Sequence, residues 1–198
     1  MSRELDAAFF RQPALLVARE LLGCVLVSRA GGRETRFVIA ETEAYHESER
    51  GAHCFGGRKT ARNAAMFEAG GVAYVYFTYG MHWMLNVVTG EAGTGEAVLL
   101  RAGWPLADSW PLVRQRRFGE GKAPTDPRRW CDGPAKLTQA AAVERSLNGC
   151  RLAADAPLQV LAGTVIPDAQ VVIGPRVGID YAGADAALPW RFRWVDGR

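Results

Sequence analysis

Between residues 36 and 45 the chain alternates. Phe37, Ile39, Glu41, Glu43 and Tyr45 fall on one side of an extended segment, and Val38, Ala40, Thr42 and Ala44 on the other. A period of two predicts a strand over Arg36–Tyr45. Acidic side chains do not usually share a core face with Phe and Ile. The strand is therefore expected to run from the core into a pocket, with Glu43 and Tyr45 at the pocket end. Upstream, Pro13 opens and Gly23 closes a helix over Pro13–Leu22. A strand over Gly23–Ser28 follows, separated from the next by the Gly31-Gly32 turn. Residues 46–59 form a polar, glycine-rich loop, after which Thr60 is placed to N-cap a short helix through Phe67, ended by Gly70-Gly71. Val72–Tyr79 and Met84–Thr89 pair as a hairpin around Gly80, and Ala97–Ala102 adds a strand. The stretch 103–131, rich in Pro, Gly and Arg, is expected to be irregular. Gly133-Pro134 opens a helix to about Ala142, and the tail from Leu158 to Trp194 holds short strands broken at Pro167, Pro175 and Pro189. The sum is α+β, one domain over residues 1–198 with a largely antiparallel sheet and peripheral helices.

Composition changes this picture little. With 198 residues and 48% hydrophobic content, the chain can bury a core without metals or disulfides. Cys24, Cys54, Cys131 and Cys150 form no Cys-x-x-Cys pair, which points to reduced thiols and a cytoplasmic location. Arg3, Glu4, Asp6, Arg11, Arg19 and Glu20 interrupt the early apolar residues, so no secretory leader is expected. Residues 69–90 carry no Asp, Glu, Lys or Arg and are long enough for a hydropathy window to flag them as membrane-spanning. Gly80, His82, Asn86 and the alternation fit a buried hairpin instead, so no membrane is expected.

Charge adds a hint about partners. The net charge of +3 is weak evidence alone, but residues 114–129 hold Arg114, Arg116, Arg117, Lys122, Arg128 and Arg129 against Glu120 and Asp126. Arg58, Lys59 and Arg62 form a second basic group beside the aromatic segment. Grouped cations suit phosphates, because each neutralised phosphate releases counterions; a solvated basic loop is the equal alternative for 114–129.

The residues with chemical potential cluster around the two most distinctive runs, Ala40-Glu41-Thr42-Glu43-Ala44-Tyr45 and Tyr74-Val75-Tyr76-Phe77-Thr78-Tyr79-Gly80-Met81. A carboxylate walled by flat rings suits chemistry on a flat, electron-poor ligand such as an alkylated nucleobase. A carboxylate near an anomeric carbon can activate water and stabilise an oxocarbenium-like transition state. A cationic purine leaves as a neutral base, so a single carboxylate can serve. Spacing alone does not rank Glu41 against Glu43, and a structural salt bridge or a metal site is open to Glu41. Asn86 and Arg101 interrupt apolar strands and need partners; Arg101 is placed to hold Glu43 or a phosphate. Arg58, Arg62 and a helix start at Thr60 are suited to phosphates, as is Lys136 near the Gly133-Pro134 helix start. An aromatic at a hairpin tip, here Tyr79, can wedge into DNA.

These runs, taken with others in order, resemble the alkyladenine (3-methyladenine) DNA glycosylase family. The pattern continues as His53 followed by Gly56-Gly57-Arg58, Thr60-x-Arg62-Asn63, Met66-Phe67 and Val98-Leu99-Leu100-Arg101-Ala102. It runs on through Gly133-Pro134-Ala135-Lys136-Leu137, Arg176-Val177-Gly178-Ile179 and Pro189-Trp190-Arg191-Phe192, spanning about residues 14–195. The resemblance implies a curved, partly open barrel-like antiparallel sheet with a protruding hairpin near Tyr79. It also implies Glu43 as the catalytic carboxylate, Tyr45, His53 and Tyr76 as walls of the base pocket, and Asn86 as a gate against guanine's exocyclic amine. Tyr79 would intercalate, with Met81 and His82 completing the tip. The implied partner is duplex DNA carrying a damaged purine, bound by a monomer with no cofactor and no metal. Ala61 and Gly70 stand where proline is common, and Cys54 where Ser or Ala is frequent.

Three other readings compete. A metal-dependent nuclease drawing on Glu41, Glu43, Glu47, Glu49, His46 and His53 lacks a recognised ligand spacing. A glycosylase with lyase activity needs an amine nucleophile, and Lys59, Lys122 and Lys136 lie outside the pocket motifs. A damaged-base binding protein without catalysis would keep the rings but not need Glu43.

Overall fold

A computed structural model describes residues 3–195. Eight strands form one antiparallel sheet: β1 (Val25–Ser28), β2 (Thr35–His46), β3 (Ala73–Thr78), β4 (His82–Val88), β5 (Glu96–Pro105), β6 (Leu158–Leu161), β7 (Val171–Gly174) and β8 (Arg191–Trp194). The main order is β3-β4-β5-β2-β1-β6, and the sheet curls into a half-barrel. The long strand β2 organises it. One edge pairs with β5 along most of its length; the other is shared by β1, opposite Thr35–Val38, and β8, opposite Glu41–Glu43. The helices α1 (Ala7–Phe10), α2 (Ala14–Glu20), α3 (Trp110–Phe118) and α4 (Pro134–Ala140) lie around it. Val17, Ala18 and Leu21 pack with Leu26, Phe37, Ile39, Leu85, Leu100 and Leu137 in the main core.

The expected single face from Phe37 to Tyr45 is broken by an irregularity in register. Ile39 pairs with Gly103, Glu41 with Ala102 and Thr42 with Leu100, leaving Ala40 and Arg101 without partners in the ladder. Bulged residues shift the inside–outside parity of a strand. Phe37 and Ile39 face the core before the bulge, whereas after it Ala44 does, and Thr42 donates its hydroxyl to Ala18 O at 2.7 Å. Glu43 and Tyr45 thus reach the other side of the sheet because the strand changes parity, not because a single face leaves the core.

Three more expectations are corrected. The stretch 103–131 is not irregular throughout: β5 runs on to Pro105, and Pro111 sits in the first turn of α3. Residues 60–67 hold only a 3₁₀ turn over Ala64–Phe67. Thr60 does not cap it; the buried Asn63 side chain instead accepts from Thr60 N (2.6 Å) and Oγ1 (3.0 Å) and donates to the carbonyls of His53 and Arg58 (2.9 Å each). Asp6, by contrast, accepts from Phe9 N at 3.0 Å and caps α1, a helix the apolar pattern did not predict. Residues 69–90 do form the β3–β4 hairpin, and among the described residues no helix is long and apolar enough to cross a membrane.

Candidate active site

The curl of the sheet and the segment after β7 enclose a cavity of ≈ 370 Å³. Its lining includes Tyr45 from β2, His53, Tyr74 and Tyr76 from β3, Asn86 from β4, Arg101 from β5, Val177, and the tip residue Tyr79. A small second core of Ala52, Cys54, Met66, Phe67, Val88 and Ala97 packs behind Tyr74 and supports Tyr45 and Tyr76. The sheet ladder does the positioning: Tyr74 lies opposite Asn86 and Asn86 opposite Leu99, so β3, β4 and β5 present these groups side by side.

Glu43 is completely buried and both of its oxygens are engaged. Oε1 accepts from the Val177 backbone N–H at 2.8 Å; Oε2 accepts from the Tyr45 hydroxyl at 2.9 Å and from Arg101 Nη1 at 3.3 Å. Each of these donors also lines the cavity. Burial pushes the Glu43 carboxyl above its ordinary value, opposed by the Arg101 charge and then by the Val177 and Tyr45 hydrogen bonds. Burial raises the Tyr45 phenol as well, and the Glu43 charge adds to that, so Tyr45 remains a protonated donor. Glu41 has a different fate. It accepts from Arg101 Nε at 3.0 Å and lies 3.4 Å from Arg191 Nε, so it is shared between two guanidinium groups, whereas Glu43 meets that of Arg101. Arg101, carried on the bulged position of β5, spans both.

The rings form a connected wall. His53 meets Tyr76 edge-on at 4.5 Å between centroids, and Tyr74 and Tyr76 are 5.4 Å apart and tilted by 30°. Nδ1 of His53 shares a hydrogen with the Tyr74 hydroxyl at 2.9 Å. Removal of the His53 ring from water, and then the Arg62 charge nearby, lowers its pKa. Burial lifts Tyr76 to about 12. Asn86, also buried, donates through Nδ2 to Tyr74 O at 3.0 Å. Tyr79 and Met81 stand at the hairpin tip, 79% and 68% exposed, and Tyr79 adopts a positive φ of 52° beside Gly80 at 69°.

The site residues read from the sequence thus divide. Arg101, Tyr45, His53, Tyr76, Asn86 and Tyr79 line one cavity, and Glu43 lies buried behind that lining, bonded to Tyr45, Arg101 and Val177. Arg62 reaches the hairpin, donating to Phe77 O at 3.1 Å with its guanidinium 5.9 Å from the Tyr76 ring centre. Arg58, Thr60 and Lys136 lie outside the lining, and Lys136 pairs with Asp132 at 2.6 Å. Three arginines of the basic stretch sit on α3 rather than in a solvated loop, with their guanidinium groups engaged by the fold. Arg114 donates to Gly119 O and Gly121 O; Arg116 to Ala140 O and Ala30 O; Arg117 to Trp130 O and to the Gln139 side chain. Cys54 faces away from the cavity, donating to Gly95 O at 3.0 Å. Among the described residues no three His, Cys, Asp or Glu side chains gather as a metal-ligand set.

Two participants escape the sequence reading. Tyr74 shares the face of Tyr76 by simple alternation and was findable. Val177 contributes a backbone N–H, for which side-chain identity gives no signal.

Comparison with known proteins decides the family. The model of the methylpurine-DNA glycosylase (MPG) family matches residues 8–198. The chain belongs to that family. Membership makes it a DNA glycosylase, an enzyme of DNA base-excision repair. Relatives named "Putative 3-methyladenine DNA glycosylase" include one from Rhodopseudomonas palustris, 46% identical over 96% of this chain and 86% of the relative. Others come from Carboxydothermus hydrogenoformans, at 42% identity over 95% and 93%, and Herpetosiphon aurantiacus, at 40% over 100% and 88%.

Proposed function

We propose that this glycosylase hydrolyses the N-glycosidic bond of alkylated or deaminated purines flipped out of duplex DNA, with Glu43 activating the attacking water. The observation that carries this reading is a fully buried carboxylate held by three donors that themselves line a ring-walled cavity. The ≈ 370 Å³ volume falls in the range of about 300–1,000 Å³ typical of ligand pockets. Tyr45, His53 and Tyr76 stack on the extruded base, and a positively charged lesion adds a cation–π contribution. Asn86 narrows the pocket against guanine's exocyclic amine.

At the reacting carbon, ionised Glu43 takes a proton from water and stabilises the positive charge developing on the sugar, while the water oxygen bonds to C1′ as the C1′–N bond breaks. A cationic purine leaves as the neutral base, and a neutral lesion leaves as an anion that water protonates. Three donors fill three of the roughly four acceptor positions of the two Glu43 oxygens, which leaves one for the water. It is reached when the long 3.3 Å Arg101 contact opens the buried carboxylate toward the cavity. Tyr79 fills the gap in the helix with Met81 beside it, while Arg58, Thr60, Arg62 and Lys136 hold phosphates. No lysine lines the cavity, so the reaction ends at an abasic site without strand scission. The enzyme acts as a monomer, with no cofactor.

The test is single-turnover excision from hypoxanthine and 3-methyladenine duplexes in EDTA, reading free base and strand breaks separately. Free base without breaks is expected. Lesion binding with no release of base would instead identify a damaged-base binding protein, and a trapped borohydride adduct would establish a lyase.

A further inference from the structure

We propose that Arg176 is a positioning residue for the reaction, a buried guanidinium that holds both Tyr45 and the Val177 amide onto Glu43. The inference rests on the assignment of Glu43 as the base.

The Arg176 side chain has no exposure, and its two terminal nitrogens bind the buried Glu49 carboxylate at 2.6 and 2.7 Å. Nη1 also donates to Ala44 O at 3.0 Å and Nη2 to Asp185 O at 3.2 Å. The guanidinium lies 4.7 Å from the Tyr45 ring centre and 5.0 Å from that of Trp190, outside the cavity lining. One group therefore ties together β2, the 46–59 loop, the 3₁₀ segment Asp180–Ala187 and the entrance to β8. The next residue in the chain, Val177, gives its N–H to Glu43.

A buried ion pair is a poor way to gain stability, because the desolvation cost of both charges offsets their attraction. This one is also imperfect, since its buried Nε has no partner. Such an arrangement makes physical sense where geometry matters more than stability. Arg176 fixes the ring whose hydroxyl bonds to Oε2 and the turn whose amide bonds to Oε1, so Glu43 is gripped from both sides by groups anchored on one side chain. Displacements of about 1 Å at a reacting group cost on the order of 10²-fold in rate.

A purely structural role predicts a different outcome from a positioning role in the pH profile. The groups around Glu43 are Tyr45 and Glu41 on β2, Arg101 on β5, Tyr76 on β3, the Val177 amide, and Arg191 on β8 acting through Glu41. Of these, Arg176 controls the Tyr45 and Val177 hydrogen bonds, and both favour the ionised carboxylate. Loosening them makes Glu43 harder to ionise, which moves the acid limb of the excision rate to higher pH.

The experiment compares wild type, Arg176→Lys and the double variant Arg176→Met/Glu49→Leu, with Glu43→Gln alongside. The double variant replaces both charges with apolar groups of similar size, so that no buried charge is left unpaired and the fold survives if the single variant does not. Lesion affinity, single-turnover rate and its pH profile are read on protein with a cooperative thermal transition. The expectation is lesion binding within a few-fold of wild type, excision slower by about 10²-fold and an acid limb shifted upward. A folded double variant with the wild-type rate and acid limb would overturn the role of Arg176. If Glu43→Gln excises as wild type does, the assignment of Glu43 itself is what fails.

Discussion

Base and tip of the β3–β4 hairpin use the same residue type for opposite purposes. Tyr74 is 1% exposed, with its hydroxyl bonded to His53 and its ring against Tyr76. Five residues later Tyr79 is 79% exposed and carries a positive φ. At the base, side chains are locked by hydrogen bonds and ring contacts, the rigidity that bond-breaking at a fixed carbon requires. At the tip, a large ring is held out in solvent on a backbone conformation that disfavours it. In the proposed mechanism, recognition sits on the exposed tip and chemistry on the buried base.

The sharpest way to break this comparison is to remove the carboxylate. Glu43→Gln is expected to slow excision by about 10²–10⁴-fold, the usual contribution of a general base, while gel-shift affinity for a lesion duplex persists. Next in size is the tip. Tyr79→Ala forfeits stacking of about 1–3 kcal/mol, so lesion affinity should fall by roughly 5- to 150-fold, and the acid limb of the pH profile should stay where it is. Tyr79→Gly should add a gain in thermal stability of about 1 kcal/mol, because glycine relieves the positive φ. A loss of stability would mean that the tip is packed.

The next prediction separates the two basic regions. Arg62→Ala should reduce the slope of log affinity against log salt by about 0.9, the value for one lost phosphate contact. Arg116→Ala should leave that slope alone and lower the melting temperature, since its guanidinium closes carbonyls of Ala140 and Ala30. The smallest effect is one of linkage. Glu43's carboxyl is raised by burial, so as pH rises the unfolded state loses this proton before the folded state does. Ionised Glu43 therefore costs stability above its folded pKa, a cost absent at low pH where both states are protonated. Relative to wild type, Glu43→Gln should gain melting temperature as pH rises through that window, measured by calorimetry; a difference independent of pH would contradict it.

Much of the fold was legible because period-two runs bounded by Gly and Pro are strong local signals, as β1, β2 and the β3–β4 hairpin show. What alternation cannot reveal is a bulge, and the one at Ala40 and Arg101 reverses which residues of β2 face the core. Helix α3 was hidden because its buried face amounts to Leu112 and Val113 amid four charged or polar neighbours, although Pro111 marked its start. Thr60 looked like a cap, but Asn63 captured it instead, a local competition between two polar residues three positions apart. Glu41 and Glu43 were indistinguishable by spacing; only the third dimension gives Arg191 to one and the Val177 amide to the other. A backbone donor such as Val177, and an anchor such as Arg176 that acts through it, leave almost no trace in residue type.

The most direct test of the account is a parallel measurement on Glu43→Gln and Tyr79→Ala. Lesion-duplex affinity and saturating single-turnover excision rate would be determined for both variants and wild type. The account predicts that Glu43→Gln binds but does not cut. It also predicts that Tyr79→Ala binds weakly, yet its pH dependence of excision keeps the wild-type acid limb. If Glu43→Gln instead loses affinity and excision together, or cuts as wild type does, the division between a catalytic base and a recognising tip is wrong.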